Sequence, residues 1–422
     1  MDANYYENIS LIKGTRKKII LTTRNSRFFL FLLVGVTVIF PFANLFHILY
    51  PASLFGKSAW IVVPVMVILS RYIFLFASKK LHVSSIDITF SVIVFLSWVI
   101  IAIRAVIYSE QRSFLDERYI ATSLLFIVFV YHLLQDESMI KIAAYSVAIQ
   151  GILVASARSI NFYFFPNVML SQIDDQTVFN YGGELTRDLL LGSSFSANHI
   201  ICGMLVIMAL MKHSVIKLRP IVFVAIQFFM MLSTFNTGSR FPISVAVLLF
   251  VISLRYVTSF SIKDIMGFIL FLSAFIIINS FLSIESFNYF ERFQESFGGR
   301  DDKLLIGYLL ISNSVTDFLI GSSSSLVNSL WVNDTLISDN SYVLIATSFG
   351  VPFALVYFAF LFYISMKTKS DKLSLLFFSY VVVGLGVTNC VLWEPWVFTA
   401  FLGFGITSYY GCISSNTKAM YL

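Results

Sequence analysis

Apolar runs of helix length follow one another along almost the whole chain, and this series limits the fold more than any other feature. They cover about residues 28–49, 59–78, 86–108, 119–135, 139–165, 197–215, 219–237, 240–257, 265–284, 341–366, 373–391 and 396–413. A bilayer core of about 30 Å takes roughly 20 apolar residues per helix, whereas strands of an outer-membrane barrel alternate over segments of about ten. The expected class is all-α: a polytopic membrane helical bundle of about twelve transmembrane helices, with residues 1–422 forming a single integral membrane domain. Composition agrees, with 58% hydrophobic and only 12% charged residues, far from the usage of a soluble domain. The basic stretch before Phe28 mimics the start of a signal peptide, but the apolar segment after it is long and ends in no small-residue cleavage pattern. It is expected to be an uncleaved first span.

Charge then orients the bundle. A formal net charge of +6 would suit a nucleic acid, but lysines and arginines flanking the spans account for it, so membrane lipid is the expected partner and nucleic acid is not. Counting basic residues on alternate connections places both termini in the cytoplasm. Lysine predominates on the inside segments, whereas six of the eight basic residues left outside are arginine. A guanidinium grips phosphate or carboxylate with a planar fork of donors that lysine lacks; the alternative is that these arginines pair with neighbouring acids. Arg71, Arg104 and Arg158 fall inside spans, where snorkelling to the nearer surface explains them, with a polar cavity as the alternative at Arg158. The three cysteines, Cys202, Cys390 and Cys412, lie in or beside apolar spans and support neither a disulfide framework nor a thiolate metal site.

Two polar stretches interrupt the series on the outer side. The loop 166–196 carries Asp174, Asp175, Tyr181, Glu184, Arg187 and Asp188 and passes Gly192 to Asn198 and His199 at the mouth of a span; these last two are equally acceptable as ordinary interfacial residues. The seventh and eighth spans meet in a tight turn, Asn236-Thr237-Gly238-Ser239-Arg240, which leaves Arg240 at the outer surface. The larger loop, 285–340, holds Arg292, Gly299-Arg300 and Asp301-Asp302, then an apolar stripe of Leu304, Leu305, Tyr308, Leu309, Val315, Phe318 and Leu319 that stops at Gly321. This spacing predicts one amphipathic helix, lying on the membrane boundary or packed down on the bundle. The next span opens with Asp339-Asn340-Ser341-Tyr342. Neither pair of adjacent carboxylates has ligand-like company, and such pairs at helix starts act as caps, so neither a metal nor a cofactor is expected. Tyr181 and Tyr342 are two of twenty tyrosines and carry no signal by type alone.

These features together resemble the O-antigen ligase and polymerase superfamily of bacterial envelope polysaccharide assembly, over about residues 185–370. The elements that carry the resemblance are Arg187…Gly192…Asn198 entering a span, the turn Thr237-Gly238-Ser239-Arg240, Gly299-Arg300 before a helix, Gly321 closing that helix after Phe-Leu-Ile, and Asn340-Ser341-Tyr342 at the next span. Where the ligases place a histidine before that asparagine, this chain has Asp339, and none of its five histidines lies in the larger loop. The departure favours an O-antigen polymerase of the Wzy type over a ligase.

The resemblance implies a glycosyltransferase of the bacterial inner membrane that joins undecaprenyl-diphosphate-linked oligosaccharide repeat units at the periplasmic face, in lipopolysaccharide biosynthesis. Both polar loops would then be periplasmic, and a chain-length regulator and a flippase would be partners. It implies catalytic roles for Asp339, Arg240 and Arg300, with Asp339 as first choice of base ahead of His199, Glu184 and Asp188. Substrate binding would fall to Arg187, Arg292, Asn198, His199, Ser239, Asn340 and Tyr342. The alternatives are a ligase or related polysaccharide transferase, a lipid-linked oligosaccharide flippase or other transporter, and a structural scaffold. Transporters favour related halves, broken helices and short outer loops, whereas no half-to-half repeat is evident here.

Overall fold

The computed structural model describes residues 85–108, 137–164, 193–237, 240–255, 305–322, 340–368, 372–387 and 403–411. Every regular element among these described residues is a helix. In chain order they are α1 (Ser85–Ile107), α2 (Glu137–Phe164), α3 (Ser193–Lys212), α4 (Pro220–Phe235), α5 (Arg240–Leu254), α6 (305–312), α7 (Val315–Ile320), α8 (Ser341–Phe349), α9 (Val351–Thr368), α10 (Lys372–Val387) and α11 (403–411). The expected spans 86–108, 139–165, 197–215, 219–237, 240–257 and 373–391 correspond to α1 to α5 and α10, with ends within a few residues. The spans expected at 28–49, 59–78, 119–135 and 265–284 lie outside the described residues. By length and composition, Ile140–Ile160 is the one described stretch that meets the requirement for crossing a membrane, the other apolar helices being shorter.

The bundle is built on α2 and α3. Along α2 the small residues Ala144, Ala148, Gly151 and Ala155 recur at helical spacing and are buried, which clears one face for a close neighbour. A Cβ placed on Gly151 would lie 2.7 Å from the Gly203 Cα, and one on Gly203 the same distance from the Gly151 Cα. Met230 of α4 closes over the same point, its Cε within 2.9 Å of either added Cβ. Two backbones and one flexible thioether therefore meet where no side chain would fit.

The connection from α3 to α4 has a local cause. Ser214 adopts φ 57 in place of the more usual glycine, and the Val215 N–H returns to the Leu210 carbonyl at 2.9 Å, the pattern of a Schellman helix end. Pro220 then occupies the first turn of α4, where its missing N–H deprives no helical bond.

The run expected as one continuous span, 341–366, is broken. Gly350 ends α8 at φ 87, and α9 starts at the next residue. Such a dihedral is open to glycine and strained for other residues. The break frees the Thr347 carbonyl, which accepts a hydrogen bond from the Ser322 N–H at 2.8 Å. Gly321, also at φ 86, lies against the break: a Cβ on it would sit 2.6 Å from the Ser348 carbonyl carbon, and a Cβ on Gly350 would sit 2.2 Å from the Leu319 oxygen. The end of α7 is thus seated in the gap between α8 and α9, with each glycine making room for the other's backbone.

The amphipathic helix expected before Gly321 is likewise two helices. Ser314 interrupts it with an extended backbone and caps α7, its Oγ accepting from the Asp317 N–H at 3.0 Å. Its apolar stripe is exposed, from Leu305 and Tyr308 to Val315 and Leu319, while Asp317 on the opposite side is buried. The stripe therefore does not pack down on the described bundle.

Gly203→Ala should lower the unfolding free energy by about 1–3 kcal/mol, the cost of overpacking a tight interior, read as a reduced Tm of the detergent-purified protein. An unchanged Tm would mean that α2 and α3 are farther apart than described.

Candidate functional site

The most polar part of the interior lies where the C-terminal ends of α2 and α4 meet and where α3, α5 and α10 come together. Arg158, near the end of α2, is 1% exposed. Its Nε donates to the Asn236 carbonyl at 3.0 Å, and Nη2 donates to the same oxygen. That oxygen follows the last residue of α4, where the helix dipole places partial negative charge. The Ser159 and Ser233 hydroxyls, 2.8 Å apart, tie the same two helices.

Arg104 is also completely buried, and its Nη2 donates to the Ser322 carbonyl. Arg104 therefore does not snorkel as expected, and Arg158 takes the interior polar setting that was the alternative for it. Each is turned into the protein, because carbonyl oxygens at helix ends are available there to receive the guanidinium. Arg71 lies outside the described residues.

On α3, Asn198 is buried and its Oδ1 accepts a hydrogen bond from the Tyr380 hydroxyl of α10. The Tyr380 ring stacks on Phe241 with centroids 5.9 Å apart and planes 8° from parallel. Phe241 directly follows Arg240, the first residue of α5, so the backbone of the candidate Arg240 starts beside the Asn198–Tyr380 pair; the Arg240 side chain lies outside the described part of the structure. His199 is fully buried, and neither ring nitrogen has a hydrogen-bond partner among the described residues. A neutral imidazole carries one donor and one acceptor, and each such buried group left unmet costs about 1–3 kcal/mol. His199 is thus a side chain that the described residues leave unsatisfied, beside an asparagine whose oxygen they bond.

The residues at the start of α8 have structural partners. Asn340 caps the helix, its Oδ1 accepting from the Tyr342 N–H at 3.0 Å and the Val343 N–H at 3.2 Å. The Tyr342 hydroxyl donates to the Val382 carbonyl at 2.8 Å, and its ring packs on Phe358 at 4.5 Å between centroids. Its side chain is thereby committed to joining α8 with α9 and α10. The structure brings Asn198, His199 and the start of Arg240 into one neighbourhood, and the Tyr342–Val382 bond joins α8 to α10, two residues from Tyr380.

Arg187, Arg292, Arg300, Asp339, Ser239, Glu184, Asp188, Tyr181 and both carboxylate pairs lie outside the described residues. Among the described residues no group of three metal-ligating side chains is assembled.

Sequence reasoning missed Tyr380, Tyr108 and Ser322, which occur among many residues of their own types with no motif to mark them. Asp317 carries a readable signal, since Ser314 three residues earlier completes a capping-box pattern. In comparisons with protein-family models, curated proteins and solved structures, the chain matches none.

Tyr380→Phe should cost about 1–3 kcal/mol in unfolding free energy by removing the donor to a buried amide oxygen. Combined with Asn198→Leu, the loss should be smaller than the sum of the two single losses. Strictly additive losses in a denaturation series would mean that the two side chains are not coupled.

Proposed function

We propose that this chain is an O-antigen polymerase, a glycosyltransferase that joins undecaprenyl-diphosphate-linked oligosaccharide repeat units at the periplasmic face of the inner membrane. The observation that carries the proposal is the grouping of Asn198, unsatisfied His199, Tyr380 and the start of α5 at Arg240. The count of basic residues along the chain assigns this end of the bundle to the outer side.

Two further features support it. The outward surfaces of the helices are apolar, with Phe95, Val106 and Leu355 more than half exposed, while Arg104, Arg158 and Gln227 are buried. This inverted distribution suits a lipid surround. The motif elements at Arg187, Gly192, Asn198, Thr237 to Arg240, Gly299-Arg300 and Asn340 to Tyr342 follow the order seen in the ligase and polymerase superfamily.

In the proposed reaction an acceptor sugar hydroxyl attacks the anomeric carbon of the donor. The bond from that carbon to the diphosphate oxygen breaks, and a base takes the hydroxyl proton. Arg240 and Arg300, with Arg187 and Arg292 beside the donor, neutralise the charge that develops on the leaving diphosphate. Asp339 is the base. A sugar hydroxyl that reaches the buried His199 meets one of its two ring nitrogens, accepting from the N–H or donating to the bare nitrogen. Asn198, Ser239, Asn340 and Tyr342 shape the acceptor end of the site, Asn340 and Tyr342 by fixing the start of α8.

A lipid-linked oligosaccharide flippase is the second reading, favoured by the break at Gly350, since discontinuous helices are common in transporters. Here Gly321 and Ser322 occupy the break, so the half-helix ends do not face an open path, and the polymerase is preferred.

Lipopolysaccharide from a strain lacking the gene should run on a gel as core bearing a single repeat unit, with the ladder restored by the gene. Core with no repeat and accumulated lipid-linked polymer would replace the proposal with a ligase. Trapped precursor on the cytoplasmic face would replace it with a flippase, and an unchanged ladder would overturn it. Arg240→Ala should reduce polymer formation about 100- to 1000-fold, the scale for loss of one preorganised charge-stabilising donor. Asp339→Asn should be as damaging as Asp339→Ala; a fully active Asn variant would exclude Asp339 as base.

A further inference from the structure

The end of α1 is tied to the segment 305–322 at several points that the proposed chemistry does not use. The Tyr108 hydroxyl lies 2.8 Å from Asp317 Oδ1 and 3.1 Å from the Gly321 carbonyl oxygen, so its proton is placed between two acceptors. The other oxygen of Asp317 accepts from the Ser314 hydroxyl at 2.7 Å and the Asn313 amide at 3.1 Å. The buried carboxylate is thereby fixed at the first turn of α7. One turn before Tyr108, buried Arg104 donates to the Ser322 carbonyl. Ser322 in turn sends its N–H to Thr347 and its hydroxyl to the Leu310 carbonyl at 3.2 Å. Both α7 and α8 end close to this point and both pack against α1, so two helix C-termini present partial negative charge toward the guanidinium.

We infer that Arg104 and Tyr108 are positioning residues: they hold α7 in the break at Gly350, and so fix Ser322 and the end of α7 against α8, the helix whose first turn carries Asn340 and Tyr342. This inference rests on the proposed polymerase function for its consequence, but the anchoring itself stands on the contacts alone.

The geometry explains why the anchor has two parts. Tyr108 reads the start of α7 through Asp317 and its end through Gly321, so it sets the helix along its axis. Arg104 reads the residue beyond that end and sets depth in the gap. Lysine at 104 keeps the charge but replaces the planar guanidinium, whose Nη2 reaches the Ser322 carbonyl, with a compact ammonium. Phenylalanine at 108 keeps the ring and loses only the hydroxyl.

The test is hydrogen exchange on the full-length protein in lipid nanodiscs, comparing wild type with Tyr108→Phe, Arg104→Lys and Gly350→Ala. In the wild type, amides of 315–322 should be protected, with Ser322 among the slowest. Tyr108→Phe and Arg104→Lys should each speed exchange across 315–322 by roughly tenfold, the scale of losing one or two buried hydrogen bonds, while peptides around Gly151 and Gly203 stay unchanged. Gly350→Ala, which leaves α1 untouched but puts a Cβ into α7, should release the same segment.

Unchanged exchange at 315–322 in both α1 variants would overturn the anchoring. So would faster exchange spread evenly over the protein, which marks a general loss of stability. The positioning role is read from polymer ladders in cells carrying Tyr108→Phe or Arg104→Lys at wild-type protein levels. Shortened or depleted ladders accompanying local release support it, and a normal ladder despite local release overturns it. Absence of any polymer phenotype on gene deletion would remove the polymerase proposal while leaving the exchange result to decide the anchor.

Discussion

The contact between Gly151 and Gly203 sets the position of every group at the polar end of the bundle. A helix rises about 1.5 Å per residue, so Arg158 stands about 10 Å along α2 from that contact, and His199 about 6 Å from it in the opposite chain direction along α3. A side chain at either glycine would separate the two backbones and move these groups apart. Met230 fixes α4 at the same point, and α4 ends in the Asn236 carbonyl that receives Arg158. The hydrogen bonds at the polar end therefore depend on van der Waals contact about two turns away. A guanidinium removed from water needs oxygen partners, and a fixed helix end supplies them without a second buried charge.

The break in the apolar run 341–366 follows the same logic on another scale. Interrupting a helix in an apolar interior leaves carbonyls without donors, at a cost unless another group reaches them. Here the group comes from the chain itself. Ser322 donates to Thr347, and two glycines in the same left-handed conformation let the two stretches touch backbone to backbone. The interruption is thereby converted into a joint between a polar connecting segment and the helical bundle.

Among the described residues much of the helical frame was legible in the sequence because its signal is local: helix boundaries fall where Pro220, Asn236 or Asn340 makes continuation unfavourable or capping favourable. The break at Gly350 was not legible. A glycine before Pro352 in an apolar run is compatible with a continuous helix, and what decides against it is the arrival of Gly321 from elsewhere in the chain. The direction taken by Arg104 was misread for the same reason, and at Arg158 the interior setting stood only as the alternative. Their proximity to helix ends suggested a route to water, and the competing carbonyls of Ser322 and Asn236 belong to segments that sequence distance conceals. Of the candidate site, Asn198, His199 and Arg240 were recognised from their placement at span mouths, whereas Tyr380, one tyrosine of twenty, becomes visible only through its contact with Asn198.

The bond from Arg104 to Ser322 joins residues 218 positions apart, and this has a bearing on biogenesis. Chains emerge at about 5–20 residues per second, so α1 is made roughly ten to forty seconds before its partner exists. Under the proposed membrane placement, an arginine at a helix centre disfavours insertion by about 2.5–3.5 kcal/mol; Arg104, in the last turn of α1, carries a smaller penalty than that throughout the interval. Its early residence in the membrane then has to be secured by apolar residues such as Phe95, Trp98 and Val106, or by the insertion machinery, until α7 arrives. A chain truncated before Ser322 would retain α1 without this partner, so the quality of assembly at the last third of the protein decides whether the first third is comfortable in lipid.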